Sequence, residues 1–294
     1  MKKCLFKGSG VALVTPFNKS GNVNYFELKR LIEFQIVSGT NALIILGTTG
    51  EASTITPDER IKIIKFCVNQ VGGRVPVIVG TGSNSTQTAI SLTVQAEEFG
   101  ADGVLIVSPY YNKCSQKGII EHYKAIANST KLPIILYNVP SRTGVNILPE
   151  TAIKLSKIRN IVGIKEASGN ISQIMELLHN KPYSFKVYSG DDSLTFPLIT
   201  LGASGVISVT ANCYPNLVSN LCKYSLSRDL KNALAIHNKL YEINKNLFLD
   251  VNPICVKEYM NLIGRNVGGL RLPLTPASKE IKQKLIKTKA LYET

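Results

Sequence analysis

The decapeptide NIVGIKEASG at positions 160–169 sets Lys165 in a short apolar run closed by glycine. A free lysine has a pKa of ~10.4, so only about 0.04% is uncharged at pH 7, and an amine that is to attack a carbonyl needs surroundings that disfavour its charge. Such an amine forms a Schiff base with a ketone. The run alone supports two readings, a buried nucleophile or a lysine that snorkels from a strand end into solvent. Strand alternation puts Ile161, Gly163 and Lys165 on one face and Val162, Ile164 and Glu166 on the other, with Gly163 leaving space beneath the amine.

Other residues add to this lysine. Tyr137 lies near the end of the run PIILYN, and its phenol is suited to moving the protons that carbinolamine formation and dehydration require. In GTTGE (47–51), Thr48 and Thr49 with their flanking glycines offer hydroxyl and amide donors to a carboxylate near a helix start. Arg142, four residues past the same run, supplies a planar fork for a carboxylate. Singly these are a packing tyrosine, a turn and a solvated arginine; their meeting on one rim makes them a site. Other signals fail. GTGSNS (80–85) has Ser85 where a dinucleotide fingerprint needs its third glycine, and no phosphate-binding loop sequence is present. Asp191 and Asp192 read as helix N-caps rather than a carboxylate pair, and His122 reads as a helix-surface residue. Three isolated histidines and six cysteines without metal-ligand spacing imply no metal and no zinc or Ser-His-Asp chemistry; the cysteines are expected to stay reduced.

The elements that must position these residues repeat. Apolar strand runs at 10–16, 42–46, 75–80, 103–108, 133–138, 161–166, 186–190 and 205–209 alternate with helical stretches, several opened by Thr, Ser or Asp and closed by Gly. Eight such units predict an α/β fold, a closed (β/α)8 TIM barrel, over residues 1–227, whose chemistry sits at the C-terminal ends of the strands. From 228 to 294 the pattern is helical, a C-terminal helical appendage.

With 44% hydrophobic and 18% charged residues the chain has enough apolar material for a large core. Its net charge of +14 is dispersed, apart from the tail KEIKQKLIKTK, which reads as a solvated helix face, so no nucleic acid is expected. No run reaches the ~18 apolar residues of a membrane span, and Lys7 and two glycines interrupt the opening MKKCLFKGSG before signal-peptide length; no membrane and a cytoplasmic location are expected.

GTTGE, SPYYN, YNVPSRTG, GIKEASG and SGDD, in this order and spacing, give the chain a resemblance that runs almost end to end. It resembles the 4-hydroxy-tetrahydrodipicolinate synthase (dihydrodipicolinate synthase) family of pyruvate-dependent class I aldolases, which also include N-acetylneuraminate lyase. The resemblance implies that Lys165 forms the Schiff base with pyruvate and that Tyr137, Thr48 and Tyr111 relay protons, Tyr111 reaching across a tight-dimer interface into the neighbouring subunit's site. It further implies that Thr49 holds the pyruvate carboxylate and Arg142 that of L-aspartate 4-semialdehyde, while Gly190 and Ile207 line the pocket through backbone groups. No cofactor is implied, and the assembly is a homotetramer of two tight dimers. Lysine-inhibited members carry histidines and a glutamate in an allosteric pocket where this chain has Pro57, Arg60 and Thr88, with Asn84 and Tyr110 retained. Losing the acid and adding Arg60 weakens the attraction for a cationic amino acid, so weak or absent lysine inhibition is expected. A related sugar-acid aldolase such as N-acetylneuraminate lyase is the alternative, and a keto-acid-binding barrel without turnover is a third reading, against which the proton relay argues.

Overall fold

The computed structural model describes residues 4–292. Lys2 and Lys3 of the opening segment, and the last two positions of the expected helical appendage, lie outside the described residues. Eight parallel strands form a closed barrel in chain order: β1 (Gly8–Ala12), β2 (Ala42–Ile45), β3 (Val77–Gly80), β4 (Gly103–Val107), β5 (Ile134–Asn138), β6 (Ile161–Glu166), β7 (Lys186–Ser189) and β8 (Gly205–Ser208). Around them run α1 (Tyr25–Val37), α2 (Pro57–Val71), α3 (Thr86–Glu98), α4 (Gln116–Asn128), the short α5 (Pro140–Thr143), α6 (Pro149–Leu155), α7 (Ile171–Asn180), α8 (Thr195–Thr200) and α9 (Pro215–Leu226). Three further helices follow, α10 (Leu230–Asn246), α11 (Ile254–Leu262) and α12 (Lys279–Ala290). The expected (β/α)8 barrel followed by helices is the observed architecture.

Local signals set the helix starts. Thr56 and Glu59 close a reciprocal capping box at α2 with Pro57 in the first turn, and Gly72 ends that helix in the left-handed region. Ser85 caps α3, Ser115 caps α4 and Asn170 caps α7, each accepting from the N–H three residues on. The strands are buried on both faces, which is why they read as apolar runs. Their outward side chains pack under the helices in the larger core. The inward ones form a smaller cluster around Ile44, Ile78, Leu105, Ile135 and Ile207, joined by Leu5 and Phe6 ahead of β1.

Several expectations are corrected. β1 is Gly8–Ala12 and not 10–16. Gly8 N already donates to Ser204 O at 2.9 Å, whereas Val14 N turns to the Asn212 side chain at 3.1 Å and Pro16 has no N–H to give. In β6 a bulge breaks the alternation: Ile134 pairs with Ile161, but Ile135 pairs with Gly163. Val162 therefore joins the inner cluster while Ile161 and Ile164 both face the outer core. Gly163 does not make room beneath the amine; a Cβ there would lie 2.5 Å from Lys186 O, so glycine serves the approach of β7. His122 is not a surface residue. It is 5% exposed, with Nδ1 2.9 Å from Thr86 Oγ1 and Nε2 without a partner among the described residues, and burial lowers its pKa to about 4. Asp191 does cap, accepting from Ser193 N at 2.8 Å. Asp192 instead lies buried and accepts from Ser208 Oγ, Val209 N (2.8 Å) and Thr210 N (3.1 Å), tying the end of β8 down; burial raises its pKa.

Among the described residues no helix is long and apolar enough to cross a membrane.

Candidate active site

Tyr137 and Lys165 are register partners on β5 and β6, which brings their side chains together at the C-terminal rim. Lys165 Nζ stands 4.6 Å from the centre of the Tyr137 ring; the lysine is 5% exposed and the tyrosine 8%. The lysine is thus buried and does not snorkel from the strand end into solvent. On the outer side of the same strands, Glu166 is buried and accepts from Asn138 Nδ2 (3.0 and 3.2 Å) and Ser168 N (2.7 Å). Asn138 Oδ1 in turn accepts from Ile147 N at 2.8 Å. This network fixes the ends of the two strands that carry the amine and the phenol. Burial raises the Glu166 pKa against the pull of its hydrogen bonds.

Gly190 comes against the lysine from β7. Its N–H donates to Glu166 O at 2.7 Å, and a Cβ there would lie 3.1 Å from Lys165 Cε and 2.6 Å from Ala167 Cβ. Only glycine leaves the lysine its position.

After β2 the chain turns through Gly47–Glu51, with Gly50 N bonded to Gly47 O and Glu51 N to Thr48 O, both at 3.1 Å. A single 3-10 turn follows (Ala52–Thr54), and α2 begins only at Pro57. Leu46 and Glu51 flank the turn at φ 54° and 55°, a strained conformation for residues with a Cβ. The strain is held by a buried ion pair: Lys257 Nζ lies 2.7 Å from Glu51 Oε1, with both side chains essentially sealed from solvent. Lys257 also donates to Thr15 O at 3.0 Å and sits 4.2 Å above the Phe17 ring, and Arg271 N donates to the other Glu51 oxygen at 3.1 Å. Burial lowers the Lys257 pKa against the pull of Glu51.

Within this turn the amide N–H groups of Thr48 and Thr49 donate to no acceptor among the described residues. Thr49 Oγ1 accepts from Asn252 Nδ2 at 2.9 Å, and the Asn252 carbonyl accepts from Arg142 Nη2 at 3.3 Å. Asn252 is 6% exposed and its Oδ1 has no partner among the described residues. The open amides and the Thr49 hydroxyl share a cavity with the buried Lys165 amine and are donors of the kind an anion takes.

Thr48, Thr49, Tyr137, Arg142, Lys165 and Gly190 line one cavity of about 390 Å³, into which α10 also presents Asn244 and Lys245. Ile207 lies wholly buried in the inner cluster rather than in that lining. Tyr111 is 85% exposed at φ 70° on the loop after β4 and lines no part of the cavity of its own chain. A second cavity of about 560 Å³ adjoins the first and shares Thr48, Tyr137 and Arg142 with it. Arg60, Thr88 and Tyr110 line it, whereas Pro57 and Asn84 are exposed outside that lining.

Sequence reasoning passed over Asn252, Glu51 and Lys257. Nothing in FLDVNPICVKEYM marks Asn252. Lys257, however, shows the very signal that singled out Lys165, an ammonium set in an apolar run.

The model of the dihydrodipicolinate synthetase family matches residues 5–290. The chain is 51% identical over 282 residues to a 4-hydroxy-tetrahydrodipicolinate synthase of Alkaliphilus oremlandii, covering 96% of this chain and 97% of that one. It is 51% identical over 270 residues to the enzyme of the same name from Clostridium novyi, covering 92% and 91%. The crystal structure of dihydrodipicolinate synthase from Aquifex aeolicus superposes with a TM-score of 0.95 at 46% identity, covering 98% of each chain. A matching barrel, a buried lysine at its rim and likeness over nearly the whole length lead to one conclusion: the chain belongs to the dihydrodipicolinate synthetase family.

Proposed function

We propose that this chain has 4-hydroxy-tetrahydrodipicolinate synthase activity, condensing pyruvate with L-aspartate 4-semialdehyde through a Schiff base on Lys165. The observation that carries the reading is the Lys165–Tyr137 pair, 4.6 Å from amine to ring centre, beneath a cavity with two open amides. Pyruvate sets its carboxylate on the Thr48 and Thr49 N–H groups and the Thr49 hydroxyl. The neutral Lys165 amine adds to C2, and Tyr137 delivers the proton with which the carbinolamine hydroxyl leaves as water, a general-acid contribution typically worth ~10²–10⁴-fold. Loss of a C3 proton gives the enamine, which attacks the aldehyde carbon of the second substrate while Arg142 holds that substrate's carboxylate. The substrate's own amine then attacks the C2 iminium carbon, closing the ring and expelling Lys165. The amine serves as the electron sink, so no cofactor enters.

Thr48 and Tyr111 complete the proton relay with Tyr137, and Gly190 and Ile207 bound the pocket through backbone groups. The 85% exposure of Tyr111 supports its work across a tight-dimer interface, hence a homotetramer of two such dimers. A fully active monomer in analytical ultracentrifugation contradicts this. Residues 1–227 act as the catalytic barrel, and the helical unit 228–294 completes its mouth through Asn252 and Lys257. The six free thiols suit the reducing cytoplasm. L-Lysine inhibits weakly or not at all, because the second cavity holds Arg60 and no acidic side chain; half-inhibition at sub-millimolar lysine in a coupled assay refutes that.

Borohydride reduction in the presence of pyruvate, followed by peptide mass mapping, tests the reading. The reduced adduct is expected on Lys165 and is lost in Lys165→Ala. An adduct on another residue, or normal turnover by Lys165→Ala, overturns it, and faster turnover with N-acetylmannosamine than with aspartate semialdehyde would move the chain to the sugar-acid aldolases.

A further inference from the structure

The catalytic cavity is ordered by depth. Lys165 and Thr49 are buried at its floor, whereas Arg142 on α5 and Lys245 on α10 line it as exposed residues at its mouth. Lys245 is held there by its neighbours in the chain. Asn244 Oδ1 accepts from Thr210 Oγ1 at 2.8 Å, and Thr210 N donates to Asp192, which joins the last turn of α10 to the end of β8. On the other side of the lysine, Asn246 Nδ2 donates to Thr288 Oγ1 of α12 at 2.8 Å. Phe248, about one turn further on, lines the cavity with Asn244 and Lys245, so the chain turns a defined edge towards the cavity and carries an ammonium on it. Among the described residues Asp191 is the one acidic side chain of the lining. It accepts from Ser193 N at 2.8 Å and forms no ion pair with Lys245 or Arg142. A lysine in the last turn of a helix gains from the helix dipole whichever way it points, and that leaves its place in the cavity lining unexplained.

We propose that Lys245 is a further substrate-binding residue, which together with Arg142 draws in and holds the carboxylate of the second substrate at the mouth of the catalytic cavity. The proposal rests on the Schiff-base reading above. Aspartate semialdehyde carries its carboxylate and its aldehyde at opposite ends of its chain. The aldehyde must reach the enamine carbon on Lys165 at the floor, which leaves the carboxylate at the level of the two exposed cations. Pyruvate has its carboxylate next to the reacting carbon, so it settles at the floor and away from Lys245. The planar fork of Arg142 sets the direction of the carboxylate, while the ammonium of Lys245, a point charge on a flexible stem, adds attraction without a fixed direction. A concave mouth lined by cations raises the local concentration of an anion, an effect that salt screens.

Initial rates of the full-length enzyme test it, with each substrate varied at saturating levels of the other, in about 20 to about 300 mM sodium chloride, for wild type, Lys245→Met, Lys245→Arg and Lys245→Glu. At the lowest salt Lys245→Met is expected to lose roughly 5- to 50-fold in kcat/KM for aspartate semialdehyde, at least about threefold more than in kcat/KM for pyruvate, and to show a flatter salt dependence. Lys245→Arg restores most of the loss and Lys245→Glu deepens it. Borohydride trapping of pyruvate separates this proposal from the reading beneath it: no adduct on Lys165 in wild type sinks the Schiff-base reading and the proposal with it. With the adduct present, a kcat/KM for the semialdehyde within about twofold of wild type in Lys245→Met, an equal loss for both substrates, or a loss that Lys245→Arg does not restore overturns the role of Lys245 alone. So does a lowered Tm with an unaltered salt dependence, which marks a lysine that only supports its helix.

Discussion

Replacing Lys257 by methionine keeps most of the side-chain volume and deletes the ammonium that faces Glu51. At 2.7 Å and an effective dielectric constant of ~20, the direct attraction is about 6 kcal/mol. Desolvation of the two charges offsets much of that in the intact pair, but the variant leaves the Glu51 carboxylate buried with the Arg271 N–H, at 3.1 Å, as its remaining bond. The contacts to Thr15 O and the Phe17 ring go as well. The expected loss is therefore that of breaking a buried pair from one side, ~3–5 kcal/mol, or on the order of 10 °C in Tm. Equilibrium urea unfolding of wild type, Lys257→Met, Glu51→Gln and the double variant measures it. The double variant should lose clearly less than the sum of the singles, because the second substitution removes the stranded charge. Where Lys257→Met folds, KM for pyruvate should rise, since Glu51 ends the turn that carries Thr48 and Thr49. A loss below about 1 kcal/mol with an unchanged KM would refute the claim that this pair holds the turn in place.

Gly190→Ala should keep the fold and lose roughly 10²-fold in kcat, because the new Cβ lies 3.1 Å from Lys165 Cε and displaces the amine by a fraction of an ångström or more; borohydride trapping yield and circular dichroism check both halves. Asn252→Ala frees the Thr49 hydroxyl and the chain beside Arg142, and should lower kcat/KM for pyruvate roughly 5- to 100-fold, read by steady-state kinetics. His122 takes up a proton near 6.5 when unfolded and at about 4 when folded, so between these values the unfolded state binds more protons and stability is lost as the pH is lowered from 6.5 towards 4. His122→Gln should flatten the urea midpoint between pH 7 and 4 relative to wild type, by at most about 3 kcal/mol.

The barrel was legible because a parallel strand covered on both faces must be apolar throughout, and IVGIKE, PIILYN and GVLIV are. The same property hid the bulge: with Ile161, Val162 and Ile164 all aliphatic, no polar residue reports which face is which. β1 was misplaced because its first residues, Gly8, Ser9 and Gly10, carry no apolar signal, and what places them is hydrogen bonding to the strand synthesised last. Burial of His122 depends on Thr86 of the neighbouring α3, which no periodicity within α4 can reveal. In the site, Tyr137 and Lys165 were readable because adjacent strands in chain order bring their ends together. Asn252 and Lys257 were not, since their partners Thr49 and Glu51 stand 203 and 206 residues earlier.

That separation bears on how the molecule is made. A ribosome builds the turn at Gly47–Glu51 early, and the asparagine and lysine that finish it emerge only after more than two hundred further residues have been added. Until then that turn lacks its inner brace, although Lys165 was added some ninety residues before it. The nascent chain thus forms the β5–β6 rim that carries Tyr137 and Lys165 well before it can brace the turn at Gly47–Glu51 that lines the same cavity.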